Sequence, residues 1–184
     1  MSIQDIMKSL DERMEKALSN VKREFSTIRA GRANASMLDR VQVDYYGSMM
    51  PINQLANVTV PEPRQLVITP WDKGSLAAID KAITKSDLGI TPSNDGNVIR
   101  LTIPQLTEQR RKDLAKQVKG LAEDGRVAVR NIRRDVNDSL KKLEKEVSED
   151  EIRREQDKVQ AVTDKTIAEI DKLLSAKEAE IMEV

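Results

Sequence analysis

The chain has 184 residues, 34% of them charged and 2% aromatic, and its 31 bases balance its 31 acids. It contains no Cys and no His, which excludes a disulfide framework, a thiolate zinc site, and the commonest general base and metal ligand. No apolar run approaches the ~20 residues of a membrane span. The opening MSIQDIMKSLDERMEK mixes acids into an amphipathic pattern, unlike a signal or transit peptide, so a cytosolic protein that needs no cofactor is expected.

The first segment runs from about residue 2 to residue 29. Ile3, Ile6, Leu10, Met14, Ala17, Val21, Phe25 and Ile28 recur at steps of three and four, the spacing of one helix face. With Phe25, Tyr45, Tyr46 and Trp71 as the only aromatics, the core must be aliphatic. The texture changes at Gly31. From there to about residue 105 lie all six prolines and five of the seven glycines. VQVDYYG, NVTV, QLVIT and NVIRLTIP read as strands. SLAAIDKAITKSDLG reads as a short helix, with Ser75 as N-cap and Gly89 as stop.

Helical periodicity returns after Pro104. Thr107 caps the next helix, whose seam is Leu114, Val118, Leu121, Val129, Ile132, Val136, Leu140, Leu143 and Val147, with Gly125 in one seam position. About 41 residues at 1.5 Å each give roughly 60 Å. Gly120 and Gly125 each cost a helix about 1 kcal/mol relative to Ala, and close helix approach is the expected reason for both. Ser148, Glu149, Asp150 and Glu151 fit a capping box. A third helix follows, with Ile152, Val159, Val162, Ile167, Ile170, Leu173, Leu174 and Ile181 as its seam.

Three long amphipathic helices bury their seams against one another. The expected fold is therefore α+β: a long three-helix bundle from residues 1–30 and 105–184, with a small β/α/β domain, residues 31–104, inserted between the first and second helices. Two short crossings join them, near 30–34 and 103–106. Ala30, Gly31 and Arg32 in one, with Ile103, Pro104, Gln105 and Leu106 in the other, are the expected hinge.

Charge is distributed unevenly along the chain. Residues 110–134 hold nine bases and three acids, whereas residues 144–184 hold seven bases and thirteen acids. At 100° per residue, Arg133, Arg126, Lys119, Lys112, Arg130, Lys116 and Arg134 fall within about 100° of one another on one flank of the helix. Such a run is commonly a solvated face, or here one paired with the acidic third helix. Its one-sidedness, and its use of Arg where it is densest, also suit phosphate. With so few aromatics, structured RNA or a nucleic-acid backbone is the better partner than unstacked bases. An adaptor that binds an acidic protein, and an enzyme using Asp and Glu with Mg²⁺, stay open as rivals at this stage.

Segments along the whole chain resemble the ribosome recycling factor family: IRAGRANASMLD, VDYYGSMMPINQLANVTV, SDLGITP, IPQLTEQRRKDLAK and RVAVRNIRRDVND. The resemblance implies an L-shaped, tRNA-like protein without a catalytic site. It would bind RNA of the large ribosomal subunit and, with elongation factor G and GTP, split post-termination ribosomes into subunits. The family's ribosome-contacting arginines fall on Arg29, Arg130 and Arg133. Arg110, Arg126 and Arg134 are added on position and charge. In RVAVRNIRRD the apolar residues would hold the bundle and the arginines the phosphates. A monomer is the simplest expectation. Where the family usually reads PPLT, this chain has Pro104, Gln105, Leu106 and Thr107, which is expected to loosen the second crossing. Leu121 stands where an acid is common, and Gly125 where a better helix former is usual.

Overall fold

A computed structural model describes residues 1–28 and 31–183. The chain divides into two compact units, Met1–Ala30 with Thr107–Val184, and Gly31–Leu106. Gln105 and Leu106 thus group with the sheet-bearing unit, two residues beyond the expected boundary at 104. The expected hinge and RNA-contact residues Ala30 and Arg29 lie outside the described residues.

The first unit is built from α1 (Ile3–Ser26), α3 (Glu108–Lys141) and α4 (Glu149–Met182), each packed against the other two. Each helix starts on a hydroxyl cap. Ser2 Oγ accepts from Asp5 N at 3.1 Å, Thr107 Oγ1 from Arg110 N at 3.1 Å, and Ser148 Oγ from Glu151 N at 3.2 Å, each satisfying an otherwise orphaned donor. Ser2 and Asp5 form a complete capping box.

The seam of α1 buries Ile6, Leu10, Met14, Ala17, Val21 and Phe25, as its spacing requires. In α3, Ala122 takes the buried place expected of Leu121, which is half-buried. Leu143 and Val147 fall in the turn beyond α3, so the helix is 34 residues long, shorter than expected. In α4, Thr163 and Thr166 are buried between Val159 and Ile170. Their hydroxyls donate to Val159 O at 2.7 Å and Val162 O at 2.8 Å within the same helix, which removes the cost of burying them.

Gly125 and Gly120 separate on structure. A Cβ on Gly125 would lie 2.5 Å from Val21 Cγ2, so α1 and α3 meet there at a distance only Gly allows. Gly120 is exposed, with nothing within 4 Å of where its Cβ would be. Close approach explains the first and not the second.

The second unit contains the hairpin β1 (Gln42–Tyr45) and β2 (Ser48–Pro51), followed by an antiparallel sheet in the order β3, β4, β6, β5. These strands are β3 (Ala56–Glu62), β4 (Gln65–Pro70), β5 (Ser93–Asn94) and β6 (Ile99–Thr102), and α2 (Leu76–Lys85) lies between β4 and β5 in the chain. Val43, Ile52, Leu66, Ile68, Ile79, Ile83, Ile99 and Leu101 form its aliphatic core. Ser75 occupies the N-cap position of α2 without capping it; its hydroxyl donates to Asp72 O at 2.7 Å instead. The helix ends at Lys85, before Gly89.

Both crossings are tied to the turn between β3 and β4. Ala33 N donates to Pro63 O at 2.7 Å, and Ile103 N to Arg64 O at 2.8 Å. Ile103 is itself a core residue of this unit. With its amide oxygen turned toward Arg64, Gln105 accepts from both terminal guanidinium nitrogens at 3.0 and 3.1 Å. The glutamine expected to loosen this strand therefore adds a tether.

Candidate nucleic-acid interface

The arginines of α3 sit where two demands meet. Val129, Ile132 and Val136 face the bundle and fix the helix's rotation. The residues between them project to one side. Arg126, Arg130, Arg133 and Arg134 consequently share a sector of about 100°. Arg110 stands in the first turn, about 140° round the helix from Arg133, so the fold does not bring it into the strip. A cation at a helix N-terminus opposes the macrodipole; Arg110 is exposed there and its guanidinium has no ion pair among the described residues.

The strip is not uniform. Arg126 is tied down: Nε and Nη2 donate to Asp171 Oδ1 on α4 at 2.9 and 2.7 Å, and Nη1 donates to Glu123 Oε2 at 3.0 Å. Its side chain is 19% exposed. Its hydrogen bonds to the Asp171 carboxylate, reinforced by Glu123, raise its pKa further. For this residue, pairing with the acidic helix is what the structure contains. Arg130 reaches Glu123 at 3.4 Å, a long contact that leaves most of its donors unused. Arg133 and Arg134 have no ion pair or side-chain hydrogen bond among the described residues. Arg133 is half-buried and Arg134 exposed.

Val127 departs from expectation. It is 45% exposed and lies on the strip's side of α3, so it does not hold the bundle together as Val129 and Ile132 do. Apolar surface beside open guanidinium groups suits a ligand with both a sugar or base face and phosphates. Arg13 Nη2, bonded to Asp135 Oδ2 at 2.8 Å, links α1 to α3 elsewhere on the bundle.

Among the described residues, no group of Asp or Glu side chains converges as metal ligands would, and no helix is long and apolar enough to cross a membrane. Pattern reading missed Tyr46 and Trp71, both highly exposed in the second unit. The available signal was the Tyr46-Gly47 dipeptide between two strand-forming runs.

A three-helix bundle carrying an open cationic face, with a small antiparallel sheet unit inserted between its first and second helices, defines a class of two-unit factors that act by binding. Residues 21–182 match the family model for ribosome recycling factor. The ribosome-recycling factor of Bacillus licheniformis is 60% identical over 181 residues, covering 97% of this chain and 98% of that protein. That of Carboxydothermus hydrogenoformans is 58% identical over 184 residues, covering 99% and 100%. A solution structure of the ribosome recycling factor superposes with a TM-score of 0.76 at 43% identity, covering 100% of this chain and 99% of that one. The T. thermophilus factor, from a structure with E. coli elongation factor G bound to the E. coli post-termination complex, gives 0.63 at 46% identity and covers 100% of both chains. The chain belongs to the ribosome recycling factor family, whose members are translation factors and not enzymes.

Proposed function

We propose that this protein recycles ribosomes after termination. It binds the large ribosomal subunit through RNA phosphates and, with elongation factor G and GTP, splits the post-termination ribosome. The observation that carries this reading is the contrast within α3: Arg126 is spent on Asp171, whereas Arg133 and Arg134 have no acidic partner among the described residues. Guanidinium groups held on a rigid helix and left open are suited to bidentate contacts with phosphate. Arg130 extends the contact along the strip; Arg110, off the strip at the start of α3, is added on its charge and exposure alone, and Arg29 on family resemblance.

The protein works as a monomer in the cytosol. The sheet-bearing unit moves against the anchored bundle. The bonds from Ala33 and Ile103 to the β3–β4 turn make both crossings part of that unit. Bending then falls to the short links outside those bonds. A short pivot between two rigid bodies transmits force instead of absorbing it.

Light scattering of post-termination ribosomes tests this reading. Scattering should fall only when the protein, elongation factor G and GTP are all present. Arg133→Ala should weaken binding to isolated large subunits, read by sedimentation, at unchanged helicity. Equal binding by wild type and variant would remove Arg133 from the interface.

A further inference from the structure

Gly120 stands in the interior of α3, where glycine is the least favourable residue after proline. It is exposed, and nothing lies within 4 Å of the place its Cβ would take. Packing inside the bundle gives no reason for it. Its place on the helix does. At 100° per residue it falls about 40° from Lys116 and about 20° from Val127, at the edge of the cationic strip. Val127 is 45% exposed, and among the described residues it is the one large exposed apolar side chain of the bundle away from the chain's ends. Gly120 and Val127 mark out a low, uncharged lane on α3, roughly 10 Å long.

A helical side chain covers the turn N-terminal to its own Cα. Glycine therefore leaves uncovered the carbonyls one turn back, at Lys116 and Gln117. Each keeps a second lone pair beyond the one its helix bond uses, and carbonyls on the solvent side of a helix tilt outward.

The charge around the lane selects what can lie in it. Lys116 and Lys119 stand before it, and Arg130, Arg133 and Arg134 beyond it. Lys116 and Lys119, like Arg133 and Arg134, have no ion pair among the described residues. Next to Gly120 itself the charge changes, because Glu123 and Asp124 lie one turn on. Arg126 Nη1 donates to Glu123 at 3.0 Å and Arg130 approaches it at 3.4 Å, which neutralises that carboxylate. Asp124 is exposed, with no ion pair or side-chain hydrogen bond among the described residues. Bare carbonyls and an open carboxylate accept hydrogen bonds and repel phosphate. Uncharged donors suit this spot, with phosphates on either side. The minor groove of A-form RNA offers that order: it is wide and shallow, and displays ribose 2′-hydroxyls and base edges between two phosphate backbones.

We propose that Gly120 is a ribose seat. The minor-groove face of an RNA helix lies against α3 at Gly120 and Val127, a 2′-hydroxyl donates to a carbonyl that the glycine uncovers, and the cations on either side hold the phosphates. That the ligand is RNA rests on the function proposed above; the glycine's part in binding it is the new element. Any side chain at position 120 would lift the RNA off the helix.

The test uses the full-length chain and isolated large subunits in a sedimentation titration. Ala and Gln are both good helix formers, so Gly120→Ala and Gly120→Gln should each raise the Tm and keep wild-type helicity. Gly120→Ala should weaken binding about threefold and Gly120→Gln about tenfold, the range of one neutral hydrogen bond. The slope of log K against log salt should stay at its wild-type value in both, because the lost contact carries no phosphate. Asp124→Ala should also weaken binding, since it removes an acceptor. Tighter binding by Asp124→Ala would mean that phosphate lies there and would overturn the ribose assignment, as would a slope shrunk by one contact's worth in Gly120→Ala. Equal losses in the Ala and Gln variants would make helix stiffness the cause, and binding equal to wild type in both would leave the glycine no role; either result overturns the proposal. Wild type that does not sediment with large subunits would sink the proposed function itself, and the seat with it.

Discussion

Gly125 and Val21 set how closely α1 and α3 approach. A methyl group on Gly125 would stand 2.5 Å from Val21 Cγ2 and 3.5 Å from Ile170 Cδ1. Valine is stiff at χ1 and cannot swing clear cheaply. Gly125→Ala gains about 1 kcal/mol of helix propensity but must push the helices apart, at about 1–3 kcal/mol. The net outcome is a lower Tm, and Val21→Ala in the same chain should restore much of it. A double-mutant cycle by thermal or denaturant unfolding reads the coupling.

Gly120 lies in the same helix with open space around it. Gly120→Ala should raise stability by about 0.5–1 kcal/mol through propensity and a less flexible unfolded chain. Urea unfolding with an unchanged m-value would check it. A loss of stability would mean that position 120 meets a neighbour after all.

Asp95 supplies a pH prediction. Its carboxylate accepts from Val98 N at 3.0 Å, Asn97 N at 2.9 Å and Arg100 Nη1 at 3.0 Å. Those bonds, the backbone ones first, hold its pKa down at about 2. The folded value lies below the unfolded one, so the unfolded chain binds this proton more tightly. The stabilisation is fully present above about pH 4 and is lost as pH falls through about 2. The amide shifts of Asn97 and Val98 should titrate together near that lower value. A midpoint close to 4 would mean the turn between β5 and β6 does not hold these bonds in solution.

Much of the architecture was legible because it is periodic. The α1 seam from Ile6 to Phe25 is buried residue for residue, and Thr107 and Ser148 cap where the pattern placed them. Strands β2 and β5 were not legible: Ser48–Pro51 and Ser93–Asn94 are short, and most of their residues are exposed, so they carry no alternation to detect. Thr163 and Thr166 keep the helical spacing of the α4 seam but hide it from a hydropathy reading, because their hydroxyls are satisfied within the helix. Gly120 and Gly125 are indistinguishable as letters, since what separates them is Val21, a residue of another helix. The candidate site was legible as a strip and not as individual roles. Nothing near Arg126 in the chain announces Asp171, 45 positions away.

That pairing yields the last prediction, which separates two arginines seven residues apart. Arg126 contributes to the bundle. It packs at 19% exposure, and Arg126→Ala should lower stability by about 1 kcal/mol, through lost packing and the unpaired Asp171. Asp171→Asn should cost less, because Glu123 still accepts from Arg126 and a pair on this partly exposed surface is screened. Arg133→Ala should barely move the Tm, since no acid is left behind. The binding assays invert the order. Affinity of the wild type for large subunits falls as salt rises, because each phosphate contact releases a counterion. Arg133→Ala should weaken binding and shrink the slope of log K against log salt by about 0.7–0.9, one contact's worth. In Asp171→Asn the guanidinium of Arg126 is half released, so the slope should hold or steepen. A sedimentation titration at three salt concentrations reads all three variants. If Arg126→Ala flattened the slope as much as Arg133→Ala, its ion pair with Asp171 would have to open on the ribosome, and the division between paired and open arginines would not describe the interface.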